Sequence, residues 1–439
     1  MTRTLLLVVA LTLLVGRIEA AAKRPLPDYG GPQKDTSPGQ VLLWVPRVAL
    51  YPVWLVNEYA IRKPMGALVT VAERDQWPAQ VIEFFTFGER NQVTLFPSAL
   101  FDFGLKPSVG LNLGWKYFLA EPNTLHVHLG TWGPDWISAK VADDYALDHR
   151  AAVTFDAAFH RRKDIPFYGL GPRSGSDIIA RYQTNELEVA GGYQLNFWRS
   201  SSFTSRMGLR GLGFGAGTCC GEQSLRSAVA SGEVPAPPGF NRGYTAAFQR
   251  LSVAIDSRRK QPENGTGFHV DGYGDATFAP AKNADDRRSW IGYGGSAGFA
   301  WDFWRARTVG VGVAADLVDP LQGSVPFTAQ VSLGGERPMR GYLRDRLLDR
   351  SSLVGSLQYS WPIWAFMNGA IHAELGNVFG ARFEGFDARL MRLSGSIGVE
   401  SSADPDSRFE IMVAAATDPL EHGFNVSSFR LLFGSHHGF

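Results

Sequence analysis

This chain of 439 residues has little cysteine and a small net charge: it carries two cysteines and a formal net charge of +1. Cys219 and Cys220 are adjacent, so the sequence excludes a zinc site of four cysteines and a framework of several disulfides. In an oxidising compartment the two thiols either form a vicinal disulfide, stay reduced or pair between chains. The balanced charge argues against nucleic acid as a partner.

Long hydrophobic runs are also missing, except at the start of the chain. Arg3 precedes an apolar run over residues 4–16 that is short for a transmembrane helix, and small residues follow it. This pattern predicts a secretory signal peptide over residues 1–22, cleaved after Ala20 or Ala22. The alternative is an uncleaved anchor.

Apolar and polar residues alternate from about residue 91 onward. In residues 187–197 the odd positions are apolar or glycine, and the even positions are polar or small. Strands of this kind suit a barrel with lipid outside and water inside. The 49 glycines, 12% aromatic residues and 19% charged residues agree with such a barrel. We therefore predict an all-β fold, a transmembrane antiparallel β-barrel of about 16 strands over residues 91–439, preceded by a short N-terminal helical segment.

Sixteen segments are predicted as strands, and their connections differ in length. The segments are 91–103, 108–119, 123–131, 136–144, 148–160, 184–198, 202–215, 243–257, 266–279, 290–304, 307–318, 351–361, 367–378, 391–402, 407–416 and 425–439. From the fifth strand on, short connections follow even-numbered strands and long ones follow odd-numbered strands. Outer-membrane barrels have short periplasmic turns and longer outer loops. We therefore expect Cys219 and Cys220, in the long connection 216–242, to face the outside.

Residues 23–90, between the signal peptide and the barrel, are predicted to form a linker and a helical periplasmic segment. Proline and glycine are frequent at first, and Pro52 suits the first turn of a helix. The most apolar stretch, 41–56, is interrupted by two prolines and an arginine, so it is not predicted to cross a membrane as a helix. We expect residues 41–75 to dock as helices on the barrel rim or at the membrane interface, where tryptophan is favoured.

The most distinctive motif is the segment LGGERPMRGY, which precedes the last five predicted strands. It carries the glycine pair Gly334 and Gly335, followed by the triplet Arg340, Gly341 and Tyr342. This arrangement resembles the bacterial surface-antigen barrel of the outer-membrane assembly-factor family, the BamA and TamA type. The resemblance implies that the triplet lies at the tip of a loop that folds back into the barrel lumen.

The resemblance also implies a carboxylate partner for Arg340 in the barrel wall. Glu374, in the segment 372–380, occupies the place where the family usually has aspartate. Alternation puts His372 and Glu374 on the face opposite to the apolar positions, that is, toward the lumen. An arginine and a carboxylate in one cavity form a charge-assisted pair, with a bidentate contact as one possible geometry. Gln358 stands where the family commonly has a charged residue, so the network around Arg340 is less charged here. The alternative is a solvated Arg340.

Three further segments match the same family. Residues 254–268 resemble its D-x-R periplasmic turn through Asp256 and Arg258, and residues 164–174 resemble its F-Y-G-x-G loop entry. Phe439 resembles the C-terminal aromatic signal that the barrel assembly machinery reads. The resemblance therefore implies that this machinery is a partner during biogenesis.

Motifs of catalysis are not found in the sequence. It has no HExxH motif and no phosphate-binding loop. His126 and His128 share a predicted lumen face, where they are either solvated or metal ligands, whereas the adjacent His436 and His437 fall on opposite faces. We therefore predict that the protein is not an enzyme and uses no metal or other cofactor.

The function implied by the resemblance is insertion or translocation of polypeptide or lipid at the outer membrane of a Gram-negative bacterium. Outer-membrane lipids are the implied partners, and the sequence does not identify the client. The family receives clients on periplasmic POTRA domains, and residues 23–90 show no such pattern, so a POTRA-less member is expected. One alternative is a passive pore or structural barrel in which the Arg340 loop is a fixed plug. Another is a barrel hydrolase acting on lipids, which a Ser–His pair on adjacent lumen or rim positions would favour.

Overall fold

The structure is a computed structural model, and it describes residues 85–439 with short gaps, together with scattered residues between 51 and 84. The gaps are residues 103–107, 218, 259–265, 282–286, 305–306, 336–337, 365–366, 402–408 and 436–439. The predicted signal peptide, Phe439 and most of the predicted docking segment 41–75 therefore lie outside the described residues.

β-Strands make up most of the described chain. They are β1 (Thr86–Phe87), β2 (Val93–Asp102), β3 (Ser108–Lys116), β4 (Asn123–Thr131), β5 (Trp136–Ala146), β6 (Ala151–Phe167), β7 (Ala180–Trp198), β8 (Ser201–Ala216), β9 (Tyr244–Asp256), β10 (Gly267–Ala279), β11 (Arg288–Trp304), β12 (Arg307–Gln322), β13 (Val331–Leu333), β14 (Leu347–Asp349), β15 (Ser351–Trp364), β16 (Met367–Phe379), β17 (Arg392–Ser401), β18 (Phe409–Thr417) and β19 (Val426–Ser435). The helix α1 (Leu225–Ala230) and the 3-10 helices Phe327–Ala329, Ala381–Phe383, Ala388–Leu390 and Leu420–His422 lie in loops. Among the described residues, no helix has the length and apolar character needed to span a membrane.

Sixteen of these strands have nine or more residues, and each overlaps one of the sixteen predicted segments. The predicted all-β, antiparallel fold is confirmed in this form. β6 differs most from the prediction, because it runs on to Phe167, and β7 differs at its start, because it begins at Ala180. Their extra residues include Phe167 and Tyr182, which pack under loops, so the simple alternation of apolar and polar residues is lost there.

The long strands form one antiparallel sheet in which sequence neighbours are sheet neighbours, while β13 and β14 pair separately. The last strand, β19, returns to the first long strand, β2. Among the described residues they pair at Leu432 with Asp102 and at Phe433 with Phe101. The sheet is therefore rolled up, and within the described part of β2 and β19 the ladder at this β2–β19 seam is short. β1 pairs with the start of β2.

The two faces of the rolled sheet differ as the alternation predicts. Leu187 and Leu209 on the outer face are 53% and 59% exposed. Glu188, the residue after Leu187, lies on the inner face, where it pairs with Arg206 and Arg210. The outer face is thus apolar and the inner face, here called the interior, is charged and polar.

The connections also sort by length. β7, β11 and β15 each end two residues before the next long strand begins, and these strand ends lie at one end of the sheet, here called the turn end. The connections 217–243 and 323–350 lie at the other end, the long-loop end. Pairs of outer aromatic rings lie near the turn end, including Trp301 with Phe303 at 5.6 Å and Tyr359 with Trp361 at 5.5 Å between ring centroids.

At the long-loop end the loops pack into a cap. A buried cluster joins Phe167 and Tyr182 of the strands to Leu225 of α1 and to Phe327. Next to it, the buried Arg181 donates to Glu222 at 3.0 Å. The same loop contains a vicinal disulfide between Cys219 and Cys220, which is the first of the three alternatives for these thiols.

Candidate functional site

The predicted motif lies in a loop, residues 334–346, that contacts the interior face of the sheet. Pairing between β13 and β14 holds the two ends of this lumen loop together. Gly334 and Gly335 have φ angles of +105° and +80°, a region that favours glycine. The amide of Gly335 donates to the carbonyl of Tyr342 at 2.9 Å. The glycine pair therefore turns the chain back onto its own triplet.

Glu374 on β16 holds the lumen loop through the main chain. Its Oε2 accepts hydrogen bonds from the amides of Met339 at 2.6 Å and Arg340 at 3.0 Å, and from the Ser394 hydroxyl at 3.1 Å. Glu374 is only 5% exposed, and hydrogen bonds to a buried carboxylate are strong. They compensate for the φ of +73° at Met339, which is unfavourable for a residue with a side chain.

The guanidinium of Arg340 is close to Glu374 without a bidentate contact. Its Nη1 lies 3.8 Å from Oε1 of Glu374 and 3.4 Å from Nδ1 of His372. The main-chain amides take the carboxylate oxygen that a bidentate pair would need. Gln358 stands directly across from His372 on β15. The structure thus brings Arg340, Glu374 and His372 together and puts Gln358 one strand away.

Gly341 and Tyr342 fit against the last two strands. A Cβ atom on Gly341 would overlap the carbonyl of Ala415, so only glycine allows this approach. The Gly341 carbonyl accepts a hydrogen bond from the Ser428 hydroxyl at 2.7 Å. Tyr342 is 1% exposed, and its hydroxyl donates to the carbonyl of Thr417. Both residues of the motif therefore serve close packing of the loop on the wall.

Arg430 on β19 makes a contact with the lumen loop that the sequence did not reveal. Its Nη1 donates to the carbonyls of Arg340 at 2.9 Å, Gly335 at 3.3 Å and Tyr342. The acceptors are main-chain atoms about ninety positions away, so no side-chain pattern marks them. With this contact the lumen loop is fixed to four consecutive strands, β16 to β19, the last of which borders the seam.

Two more buried arginines, Arg346 of the lumen loop and Arg392 of β17, donate to the segment 164–174. Arg346 donates to the Ser174 hydroxyl at 3.0 Å, and Arg392 donates to the Ser174 carbonyl at 2.8 Å. Burial and the neighbouring Arg392 lower the pKa of Arg346 to about 10. Arg346 also lies 4.3 Å from the ring centroid of Tyr168. The two loops that matched the family in sequence are thus in contact.

The trailing part of the lumen loop reaches the opposite wall. Arg344 and Asp345 line a cavity of about 170 Å³ with residues of β5, β6 and β7. β6 and β16 are eight steps apart in the order of the sixteen long strands, so they face each other across the interior. The loop therefore spans the interior from wall to wall. In this cavity Ser138 lies 3.2 Å from His160, a pair that sequence reasoning also missed.

Elsewhere the interior carries a ladder of ion pairs. Arg206 lies 2.6 Å from both Asp156 and Glu188, and Arg210 lies 2.6 Å from Glu188. These residues come from adjacent strands, so the charges are matched across the sheet. Such an interior is hydrated rather than an apolar core.

The histidines considered as metal ligands have other neighbours. His128 Nδ1 lies 2.6 Å from Asn112 Oδ1, and His126 lies 3.8 Å from Asp144. In the described part of the chain no group of three or more histidine, cysteine or acidic residues is arranged to hold a metal ion.

The predicted D-x-R turn forms a compact charged contact at the turn end. Asp256 accepts from the amide of Arg258 at 2.8 Å and lies 2.6 Å from its guanidinium. Arg199, in the neighbouring turn, donates to the carbonyl of Ser257. Arg258 and Arg199 therefore both hold the chain in place where β9 ends.

No protein-family model and no curated protein sequence matches this chain. Its structure is similar to BamA from Haemophilus ducreyi lacking POTRA domains 1-3, with a TM-score of 0.52 at 13% identity over 78% of this chain and 70% of that one. CdiB from Acinetobacter baumannii gives 0.48 at 10% identity over 78% and 60%, and OccK11 (OpdR) from Pseudomonas aeruginosa gives 0.33 at 8% over 77% and 92%. The first likeness shows that the chain has a barrel fold like that of BamA.

Proposed function

We propose that this chain is an outer-membrane β-barrel protein that inserts or translocates polypeptide or lipid at the outer membrane. The observation that carries the proposal is the lumen loop fixed to strands β16 to β19, beside a seam at which the described residues pair at two positions. The likeness in fold to BamA supports the same class. Outer-membrane lipids surround the apolar face, and the barrel assembly machinery acts in biogenesis.

The seam supplies the working surface in this proposal. Strand edges that are not paired present main-chain donors and acceptors, which lipid cannot satisfy. An extended client segment satisfies them by adding a strand, a common mode of peptide recognition. The strands on both sides of the seam are short, nine or ten residues each for β2, β3, β18 and β19. A strand of this length crosses a bilayer with few residues to spare. Separating the strands at this side of the barrel therefore breaks the fewest hydrogen bonds between strands.

The lumen loop has a positioning role in this proposal. Glu374 and Arg430 fix it at main-chain atoms, so the loop joins β16 to β19 into one rigid sector. A rigid sector presents the edge of β19 in one defined orientation. The role of Arg340, Gly341 and Tyr342 is then to hold the loop against these four strands.

A passive pore with a fixed plug is the second candidate, and the charged ladder on Arg206 and Arg210 favours it, because it lines a hydrated interior. The lumen loop crosses that interior and the long loops cap one end, and both features restrict a pore. In a planar bilayer the assembly barrel is expected to give low, irregular conductance, whereas a pore gives a steady ohmic current.

Depletion of the protein, read out by the composition of the outer-membrane proteome, tests the proposal. Selective loss of other barrel proteins, or of one secreted polypeptide, is the expected result. Unchanged barrel proteins with altered uptake of small solutes would replace the proposal with the pore. An unchanged proteome together with unchanged uptake would contradict both the handling of polypeptide and the pore.

A further inference from the structure

Two rows of residues on the interior face of β5, β6 and β7 build the walls of the 170 Å³ cavity. Cross-strand pairing sets one row as Ser138, His160 and Glu186, and the next row as Trp136, Arg162 and Thr184. Directly opposed residues in antiparallel strands have Cβ atoms about 4.5–5.5 Å apart. The register therefore brings a serine, a histidine and a carboxylate side by side on one surface.

The serine and the histidine are in hydrogen-bond contact. Ser138 Oγ lies 3.2 Å from Nδ1 of His160, and Ser138 is 3% exposed. A serine hydroxyl becomes a nucleophile when an adjacent base accepts its proton and a third group orients that base. Glu186 is the carboxylate next to His160 in the register and lines the same cavity. The three side chains thus have the types and the order that this chemistry needs.

The lumen loop forms one side of the cavity beside this row. Arg344 and Asp345 come from the loop, and Asp345 is held by a hydrogen bond from Ser332 at 2.7 Å. The loop side of the cavity thus carries the guanidinium of Arg344 and the carboxylate of Asp345. The opposite side carries apolar atoms of Trp136 and Ile165. A cavity of this size admits a small molecule with a short apolar arm.

We propose that Ser138 and His160 form a hydrolytic site for short-chain carboxylic esters, an activity separate from the proposed membrane function. Ser138 Oγ attacks the ester carbonyl carbon and its proton passes to Nδ1 of His160. Arg344 stabilises the negative charge on the carbonyl oxygen. The bond to the alcohol then breaks, and the alcohol leaves with the proton from His160. Water attacks the acyl group on Ser138, His160 takes its proton and returns it to Oγ, and the carboxylic acid is released.

The folded protein in detergent micelles is tested with methanesulfonyl fluoride, a reagent small enough for the cavity, followed by peptide mapping. The expected result is one sulfonyl group on Ser138. The label should be absent in Ser138→Ala and strongly reduced in His160→Gln. Hydrolysis of p-nitrophenyl acetate should fall at least about a hundredfold in His160→Gln, since general-base catalysis contributes about 10²–10⁴-fold. Ser205→Ala, which changes another serine of the sheet, should behave as the wild type.

Heat-modifiable gel mobility separates loss of chemistry from loss of fold. Unlabelled Ser138 in a protein that migrates as a folded barrel would overturn the proposal, as would hydrolysis that persists in Ser138→Ala. Neither result bears on the membrane function, because that is read from the proteome of depleted cells. A structural serine and histidine would leave both the labelling and the hydrolysis at the background level.

Discussion

The guanidinium of Arg430 donates a hydrogen bond to the main-chain carbonyl of Arg340 at 2.9 Å. This contact joins the last strand of the barrel to the tip of the lumen loop, 90 positions earlier in the chain. Arg430 is 2% exposed, so its charge is stabilised by the loop carbonyls rather than by water. The loop and the strand at the seam are therefore expected to lose order together.

Substitution of Arg430 tests this dependence. Arg430→Met removes the donor and leaves loop carbonyls unpaired, and a hydrogen bond to a charged group contributes about 1.5–3 kcal/mol. We expect a lower melting temperature in detergent and faster amide exchange in both the lumen loop and β19. Lys140→Met, a change of an interior cation on β5, is the control. Equal effects of the two substitutions would show that Arg430 does not hold the loop.

The contacts of Glu374 predict unequal effects at the two ends of the Arg340–Glu374 pair. Glu374→Ala removes the acceptor for two amides and one hydroxyl, whereas Arg340→Ala leaves its own amide in place. Glu374→Ala should therefore lower stability more, and the double variant should be close to Glu374→Ala alone. A double-mutant cycle on the detergent melting temperature measures this. Simple additivity, or a larger effect of Arg340→Ala, would refute the assigned contacts.

Gly341 offers a test of the close approach between the loop and β18. A Cβ atom there overlaps the carbonyl of Ala415, so Gly341→Ala should destabilise the protein by about 1–3 kcal/mol through overpacking. Gly191→Ala is the matched control, because a Cβ at Gly191 meets nothing within 4 Å. Heat-modifiable mobility in a temperature series compares the two. A stable Gly341→Ala would place the loop farther from the wall.

Much of the fold was predictable because period-two alternation is local in sequence. The faces of residues 187–197 follow from it, and so do the positions of the sixteen long strands. Extensions such as Ala180 to Gln183 were not predictable, because their side chains pack under loops and lose the alternation. The short β1 and the pairing of β13 with β14 depend on where distant segments meet.

The site was predictable in part, for a similar reason. The glycine pair, the triplet and Glu374 could be named because a motif carries them. Arg430 could not, because its acceptors are carbonyls that every residue has. Ser138 and His160 are 22 positions apart, and they meet only through the register of β5 and β6. A shift of one residue would put them on opposite faces.

The segregation of loop lengths predicts the orientation of the barrel. Short turns are periplasmic in outer-membrane barrels, so the loop with Cys219 and Cys220 should face the outside and the turn 257–266 the periplasm. An epitope inserted at Gly232 should be labelled on intact cells, and one inserted in the turn only after permeabilisation. The reverse labelling would invert the orientation.

The central claim is that a lumen loop fixed by Glu374 is needed for assembly or translocation at the outer membrane. Its most direct test is the abundance of barrel proteins in cells depleted of this protein and supplied with one variant. Gln194→Ala, an exposed interior position on β7, should restore the barrel proteins to the wild-type level. Glu374→Ala should leave them depleted although the variant reaches the membrane as a folded barrel. Full restoration by Glu374→Ala, or no depletion phenotype at all, would contradict the account.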